Sequence, residues 1–307
     1  MHSNPFLKIA YHPLYAHPLP EGHRFPMLKY ELIPGQLLHE GSITSENIFA
    51  PLFCPEDIVL LTHEHNYVQK LLTQQLTARE QRVIGFPQSA QLTQREFMIA
   101  QGTIDCMQYA KQAGVALNVA GGTHHAFADR GEGFCMLNDQ AIAANYFLQK
   151  TPSLKIVIID LDVHQGNGTA KLMEANENVF TFSMHGQNNY PFRKEKSDVD
   201  VGLPDGMEDS GYLQLLKLHL IEILDKLKPD MAFYLSGVDV LATDRYGKLK
   251  MTIEGCKQRD VFVFEELCKR KIPCAVSMGG GYSADVKIIT EAHCNTFRAA
   301  KDIWQLA

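Results

Sequence analysis

Short apolar runs without polar alternation constrain this chain most. They fall at 115–119, 156–159, 179–182, 231–235 and 274–276. A strand with one wet face alternates apolar and polar residues, whereas a strand covered on both faces does not. Segments with helical spacing lie between the runs. The strongest, 212–227, sets Leu213, Leu216, Leu220 and Leu227 near one stripe. Strand alternating with helix predicts an α/β fold: a single doubly wound domain over residues 1–307, with a central, mostly parallel sheet flanked by helices. The proline- and histidine-rich segment 12–26 predicts an irregular loop, because Pro13, Pro18, Pro20 and Pro26 would each interrupt a helix.

Each run leads directly into residues with chemical potential. The first is followed by Gly121, Gly122, His124 and His125, and the second by Asp160, Asp162 and His164. The third reaches Ser183 and His185, the fourth Gly237 and Asp239, and the fifth Gly279, Gly280, Gly281 and Tyr282. In a parallel sheet these are all carboxyl ends of strands, so they converge on the edge where open α/β sheets bind ligands.

Composition narrows the function classes. The chain has 307 residues, 45% hydrophobic and 21% charged, which supports a sizeable core and excludes wholesale disorder. Lys+Arg is 29 against Asp+Glu 35, a net charge of −6 that gives no footprint for nucleic acid, although a basic peptide remains admissible. No run of about 18 apolar residues predicts a membrane span. The start, M-H-S-N-P-F-L-K-I-A, lacks the pattern of a secretory leader. The 7 cysteines, at 54, 106, 135, 256, 268, 274 and 294, are odd in number and form no C-x-x-C pair. We expect reduced thiols and a cytoplasmic location. Nothing in the pattern sets an oligomeric state.

The segment I-D-L-D-V-H-Q-G-N-G (159–168) places Asp160, Asp162 and His164 on one side of an extended chain. Read alone, it is either a capping aspartate with a satisfied histidine or two carboxylates whose repulsion a cation would relieve. Asp239, in S-G-V-D, is alone an N-cap candidate. Asp162, His164 and Asp239 together would make a three-ligand N/O site with a position left for water, the construction of a catalytic zinc centre. The pair His124–His125 in G-G-T-H-H is by itself compatible with a surface pair. Beside a metal, the two rings could divide acid and base work, with Asp160 and Asn167 as hydrogen-bond partners. G-G-G-Y (279–282) reads as a glycine turn with a core tyrosine, or as a loop presenting the Tyr282 hydroxyl to a developing oxyanion.

With these residues assembled, the chain resembles the zinc-dependent histone deacetylase superfamily. The resemblance rests on G-G-T-H-H (121–125), G-F-C-M-L-N-D (133–139), D-L-D-V-H-Q-G-N-G (160–168), S-G-V-D (236–239) and G-G-G-Y (279–282), in the family's order. H-Q-G-N-G and D-R-G-E-G-F-C (129–135) look most like the class IV branch.

The resemblance implies an arginase-like α/β fold and one Zn2+ on Asp162, His164 and Asp239. It implies catalytic roles for His124, His125 and Tyr282, with Asp160 and Asn167 behind the histidines. Gly133, Phe134, Tyr190 and Gly280 would line the substrate site. A structural K+ or Na+ would sit on Asp160, Asp162, His164, Ser183 and Met184, mostly through backbone oxygens. Arg24 falls where the family often has an arginine at an internal channel.

The expected reaction is removal of an acyl group, acetyl or longer, from the lysine side chain of a protein or peptide. Alternatives are an acetylpolyamine or other small-amide deacetylase and a catalytically inactive acyl-lysine-binding scaffold. An arginase-type ureohydrolase fits less well, because Gln165 and Gly166 follow His164 where that dinuclear site needs a further carboxylate. Asn167 stands where many members have Asp, so His125 should be less basic than in those members.

Overall fold

The computed structural model describes residues 7–305. The N-terminal stretch 1–6, part of the segment read above as lacking a leader, lies outside them. The strands are β1 (Lys8–Ala10), β2 (Ile48–Phe49), β3 (Val115–Asn118), β4 (Ile156–Asp160), β5 (Val179–Gly186), β6 (Val199–Leu203), β7 (Met231–Leu235) and β8 (Cys274–Ser277). They form one 8-stranded sheet in the order β2-β1-β3-β8-β7-β4-β5-β6. Every pairing is parallel. The doubly wound α/β expectation holds, and the sheet is parallel throughout.

All five expected strands are present. Those in the middle of the sheet, β3, β4, β7 and β8, are buried along their whole length, which is why their sequences lack alternation. The expectation omitted β1, β2 and β6. β1 and β2 are very short, and β6 is an edge strand with half-exposed residues. None offers enough continuous apolar sequence to register as a run.

The helices start and stop where the local chemistry directs. Ser89 caps Ala90–Ala113 by accepting the Leu92 N–H, and Gly114 ends it with φ +89°. Asn138 caps Asp139–Lys150, and Thr252 caps Ile253–Lys269. The expected helix at 212–227 spans Asp209–Leu227. Within 12–26 the only regular element is the 3-10 turn Pro13–Tyr15. No helix among the described residues is long and apolar enough to cross a membrane. All seven cysteines are free thiols, most of them buried.

Strand order does the functional work. β3 lies beside β8, and β7 lies between β8 and β4. The loops leaving these four strands therefore emerge side by side, although they are far apart in sequence.

Candidate active site

Asp162 and His164 follow β4, and Asp239 follows β7. One ligand atom from each of the three lies within 4.8 Å of the others; both aspartates are buried, and the His164 side chain is 12% exposed. His164 Nδ1 stands 3.1 Å from Asp162 Oδ1 and 3.2 Å from Asp239 Oδ2. Main-chain groups aim the carboxylates. Asp239 Oδ1 accepts the Val163 N–H at 2.9 Å, and Asp162 accepts the N–H groups of His164 (3.0 Å) and Gly280 (2.8 Å). The backbone packs so closely here that side chains are excluded. A Cβ on Gly280 would lie 2.0 Å from Asp239 Oδ2, and one on Gly237 would lie 2.3 Å from Asp162 Oδ2.

Electrostatics bind these three side chains together. Burial, then the facing charge of Asp162, pushes the Asp239 carboxyl up. Burial also works against ionised Asp162, but His124 and His164 override it and hold that carboxyl low. His164 is desolvated, yet the two carboxylates raise it to about 10. The two buried carboxylates thus favour positive charge at the point where they meet His164. Oxygen and nitrogen donors from three side chains, opening onto a cavity, fit a divalent ion such as zinc with a position left for water or substrate.

The tandem histidines sit beside this cluster, their ring centroids 4.1 Å apart. His124 Nδ1 meets Asp160 Oδ2 at 2.7 Å, and His125 Nδ1 meets Asn167 Oδ1 at 2.6 Å. The consequences differ. Burial lowers His124, but Asp160 and Asp162 outweigh it and leave the ring above its ordinary value. Burial pushes His125 well down, helped by the neighbouring His124 and His164. Burial is the largest cause of this shift, and the hydrogen bond to Asn167 works against it, raising the ring. Exposure does not separate the rings, at 5% and 4%.

Tyr282 lines the same cavity, and its backbone N–H donates to Asp244 Oδ2 at 2.6 Å. Burial, then Asp162 and Asp239, raises its phenol well above the usual range, so the hydroxyl stays protonated. Gly133, Phe134, Tyr190 and Gly280 all line the same cavity of about 560 Å³, with the three metal-ligand candidates and both histidines. Phe134 adopts φ +69°, uncommon for an aromatic residue, which swings its ring toward that of Tyr282, centroids 5.9 Å apart. Tyr190 stacks edge-on to His125 and donates its hydroxyl to Glu132 at 2.8 Å.

Asp160 pairs in register with Ser183, so the ends of β4 and β5 bring Asp160, Ser183 and Met184 together. Ser183 Oγ lies 2.9 Å from His185 Nδ1.

Arg24 corrects an expectation. It is exposed, at the cavity mouth, with its guanidinium over the rings of Phe134 (5.1 Å) and Tyr246 (5.9 Å). The buried arginine that lines the cavity is Arg95, whose Nε donates to Tyr15 O at 2.7 Å and which is ion-paired with Glu96. Arg24 lies in the irregular entry segment, whereas Arg95 is carried inward by the helix Ala90–Ala113.

Sequence reading missed three supporting residues. Asp139 accepts from the N–H groups of Gly122 (2.9 Å) and Thr123 (3.0 Å), and from the hydroxyls of Thr103 and Ser277. It thereby fixes the loop that carries both histidines. Its place in the G-F-C-M-L-N-D motif was a usable signal. Arg259 is fully buried and donates to the carbonyls of Leu161, Gly237 and Ser236 at 3.1, 2.6 and 3.3 Å. It ties together the exits of β4 and β7, and nothing near it in sequence signals this. Lys29, also fully buried, donates to Gly279 O at 3.0 Å behind the tyrosine loop.

Comparison with known proteins agrees with this geometry. Residues 23–298 match the family model described as histone deacetylase domain. An uncharacterized protein of Picosynechococcus sp. is 44% identical over 296 residues, 96% of this chain and 99% of the relative. Histone deacetylase 2 of Arabidopsis thaliana is 28% identical, over 90% of this chain and 74% of its own. The acetoin utilization protein AcuC of Staphylococcus aureus is 29% identical, over 78% and 67%. Among solved structures, a histone deacetylase homologue from Aquifex aeolicus superimposes with a TM-score of 0.81 at 20% identity, covering 97% of this chain and 88% of that one.

Proposed function

The chain belongs to the histone deacetylase family, and from that premise we propose that it is a zinc-dependent amidohydrolase releasing an acyl group from the lysine side chain of a protein or peptide. The observation that carries this reading is the convergence of Asp162, His164 and Asp239 within 4.8 Å, on a cavity shared with His124, His125 and Tyr282. We take residues 1–307 as one catalytic domain. H-Q-G-N-G and D-R-G-E-G-F-C support placing it nearest the class IV branch.

Zinc held by Asp162, His164 and Asp239 would supply Lewis acidity at the acyl carbonyl and lower the pKa of a water molecule. The chain's own residues do the rest. Asn167 Oδ1 accepts from His125 Nδ1, which leaves His125 Nε2 as a free acceptor for the water proton. Because His125 is held neutral, that acceptor is available at neutral pH. His125 then delivers the proton to the departing lysine amine. His124, biased toward its charged form by Asp160, keeps positive charge beside the developing negative charge. The Tyr282 hydroxyl donates to the carbonyl oxygen as it becomes an oxyanion. Phe134 and Tyr190 hold the aliphatic lysine arm, with Gly133 and Gly280 leaving room for it. The end of β4 and the start of 183–184 on β5 would carry a structural K+ or Na+.

Elemental analysis with a lysine-amide assay tests this reading. About one zinc per chain and amine release from an acetyl-lysine peptide are expected. Zinc-replete protein that releases no amine from any acyl-lysine peptide overturns it.

A further inference from the structure

We propose that the cavity mouth selects for negative charge beside the scissile amide. Its substrate class is then acyl-lysine in an acidic sequence setting, and polycationic acyl-amines are disfavoured. This deepens the amide-hydrolysis reading and rests on it. Arg24 is exposed at the mouth and makes no ion pair among the described residues; its contacts there are the faces of Phe134 and Tyr246. Stacking of this kind holds a guanidinium in place while its in-plane N–H groups stay free for a carboxylate.

Lys248, the other cation at the rim, has Asp205 3.9 Å away, both side chains 48% exposed, so it is weakly neutralised. The acids close by are turned elsewhere. Asp244 accepts the backbone N–H groups of Tyr246, Gly247 and Tyr282. Glu132 accepts from Arg130 Nε and from the Tyr190 hydroxyl. The carboxylates that line the cavity, Asp162 and Asp239, lie at its floor with the metal-ligand histidine.

The mouth is therefore an aromatic collar carrying positive charge on a chain whose net charge is −6. An aspartate or glutamate one or two residues from the acyl-lysine would meet Arg24 as the lysine arm enters. A second ammonium on a polyamine would meet the same guanidinium and be repelled. Both effects are those of exposed charges, worth a few-fold in affinity and screened by salt.

The test uses full-length, zinc-loaded protein and matched acetyl-lysine peptides flanked by Asp, Ala or Lys, with N-acetylspermine alongside. Both kcat/KM and peptide binding by fluorescence anisotropy are measured at low salt and at about 0.5 M salt. The expected Asp-over-Lys preference is about three- to fivefold at low salt, lost at high salt. Arg24→Lys should retain it, Arg24→Gln should abolish it and Arg24→Glu should invert it, with melting temperature checking that each variant folds. A wild-type preference for Lys-flanked peptide or acetylspermine overturns the proposal, and so does a preference that ignores Arg24→Glu. Absence of turnover on every substrate strikes the hydrolysis reading instead. The anisotropy arm still decides the mouth proposal, because charge-independent binding or no binding sinks it without reference to turnover.

Discussion

His125 offers its Nδ1 to Asn167 Oδ1 at 2.6 Å, so an amide, and no carboxylate, sets the tautomer of that ring. Its neighbour His124 faces a true carboxylate, Asp160, at 2.7 Å. Two adjacent imidazoles thus receive opposite electrostatic instructions, one held neutral and the other drawn toward the charged form.

Asn167→Asp should therefore move the pH profile. A base works in its neutral form, so activity rises with pH through the pKa of His125. The wild-type ring sits below its ordinary value, placing that limb at low pH. A new carboxylate beside Nδ1 stabilises the imidazolium and carries the acidic limb upward by about one to three pH units. The measurement is kcat/KM against pH, and an unmoved limb would show that the essential base is another group.

Tyr282→Phe removes a donor without removing a ligand. We expect kcat to fall by about 10²–10³, KM to change little and zinc content to stay at the wild-type level. Steady-state kinetics with elemental analysis check this. Full turnover in the Phe variant would take the phenol out of the reaction.

Asp239→Ala deletes a ligand candidate at a wholly buried position. The wild-type protein should melt at lower temperature after chelation and recover when zinc is returned. Zinc at a hundred times its Kd stabilises by about 2.7 kcal/mol. The Ala variant should show neither response, and normal zinc retention by it would contradict the ligand assignment.

Arg259→Met tests the brace between the β4 and β7 exits. The change strands Asp260, its buried ion-pair partner, and leaves the Leu161, Ser236 and Gly237 carbonyls without this donor. Breaking such a pair costs about 3–5 kcal/mol. A denaturation series should show the loss, accompanied by weaker zinc binding because both ligand-bearing loops relax. A variant as stable as wild type would mean that the helix and sheet hold those loops unaided.

The centre was legible in the sequence because each of its side chains stands just past an apolar run. In a parallel sheet, that position alone fixes which edge it reaches. The runs ending before Asp160, Asp239 and Gly279 were visible because burial on both faces removes polar alternation. β1, β2 and β6 were not visible, since two- or three-residue strands and a half-exposed edge strand carry little of that signal. Arg24 was misplaced for a different reason. An irregular segment has no periodicity from which to derive direction, and tertiary packing alone sends Arg24 to the rim and Arg95 to the interior. Arg259 and Lys29 act through main-chain carbonyls distant in sequence, so no local pattern marks them.

The absence of room for a Cβ at Gly237 and Gly280 has an evolutionary corollary. Spacing between the two carboxylates is dictated by how closely neighbouring main chains approach, and ordinary side-chain drift has little purchase on it. The entrance, built from exposed Arg24, Val83 and Phe192, carries no such restriction. Descendants of this scaffold can exchange clientele by altering the doorway while the reaction beneath it is inherited intact.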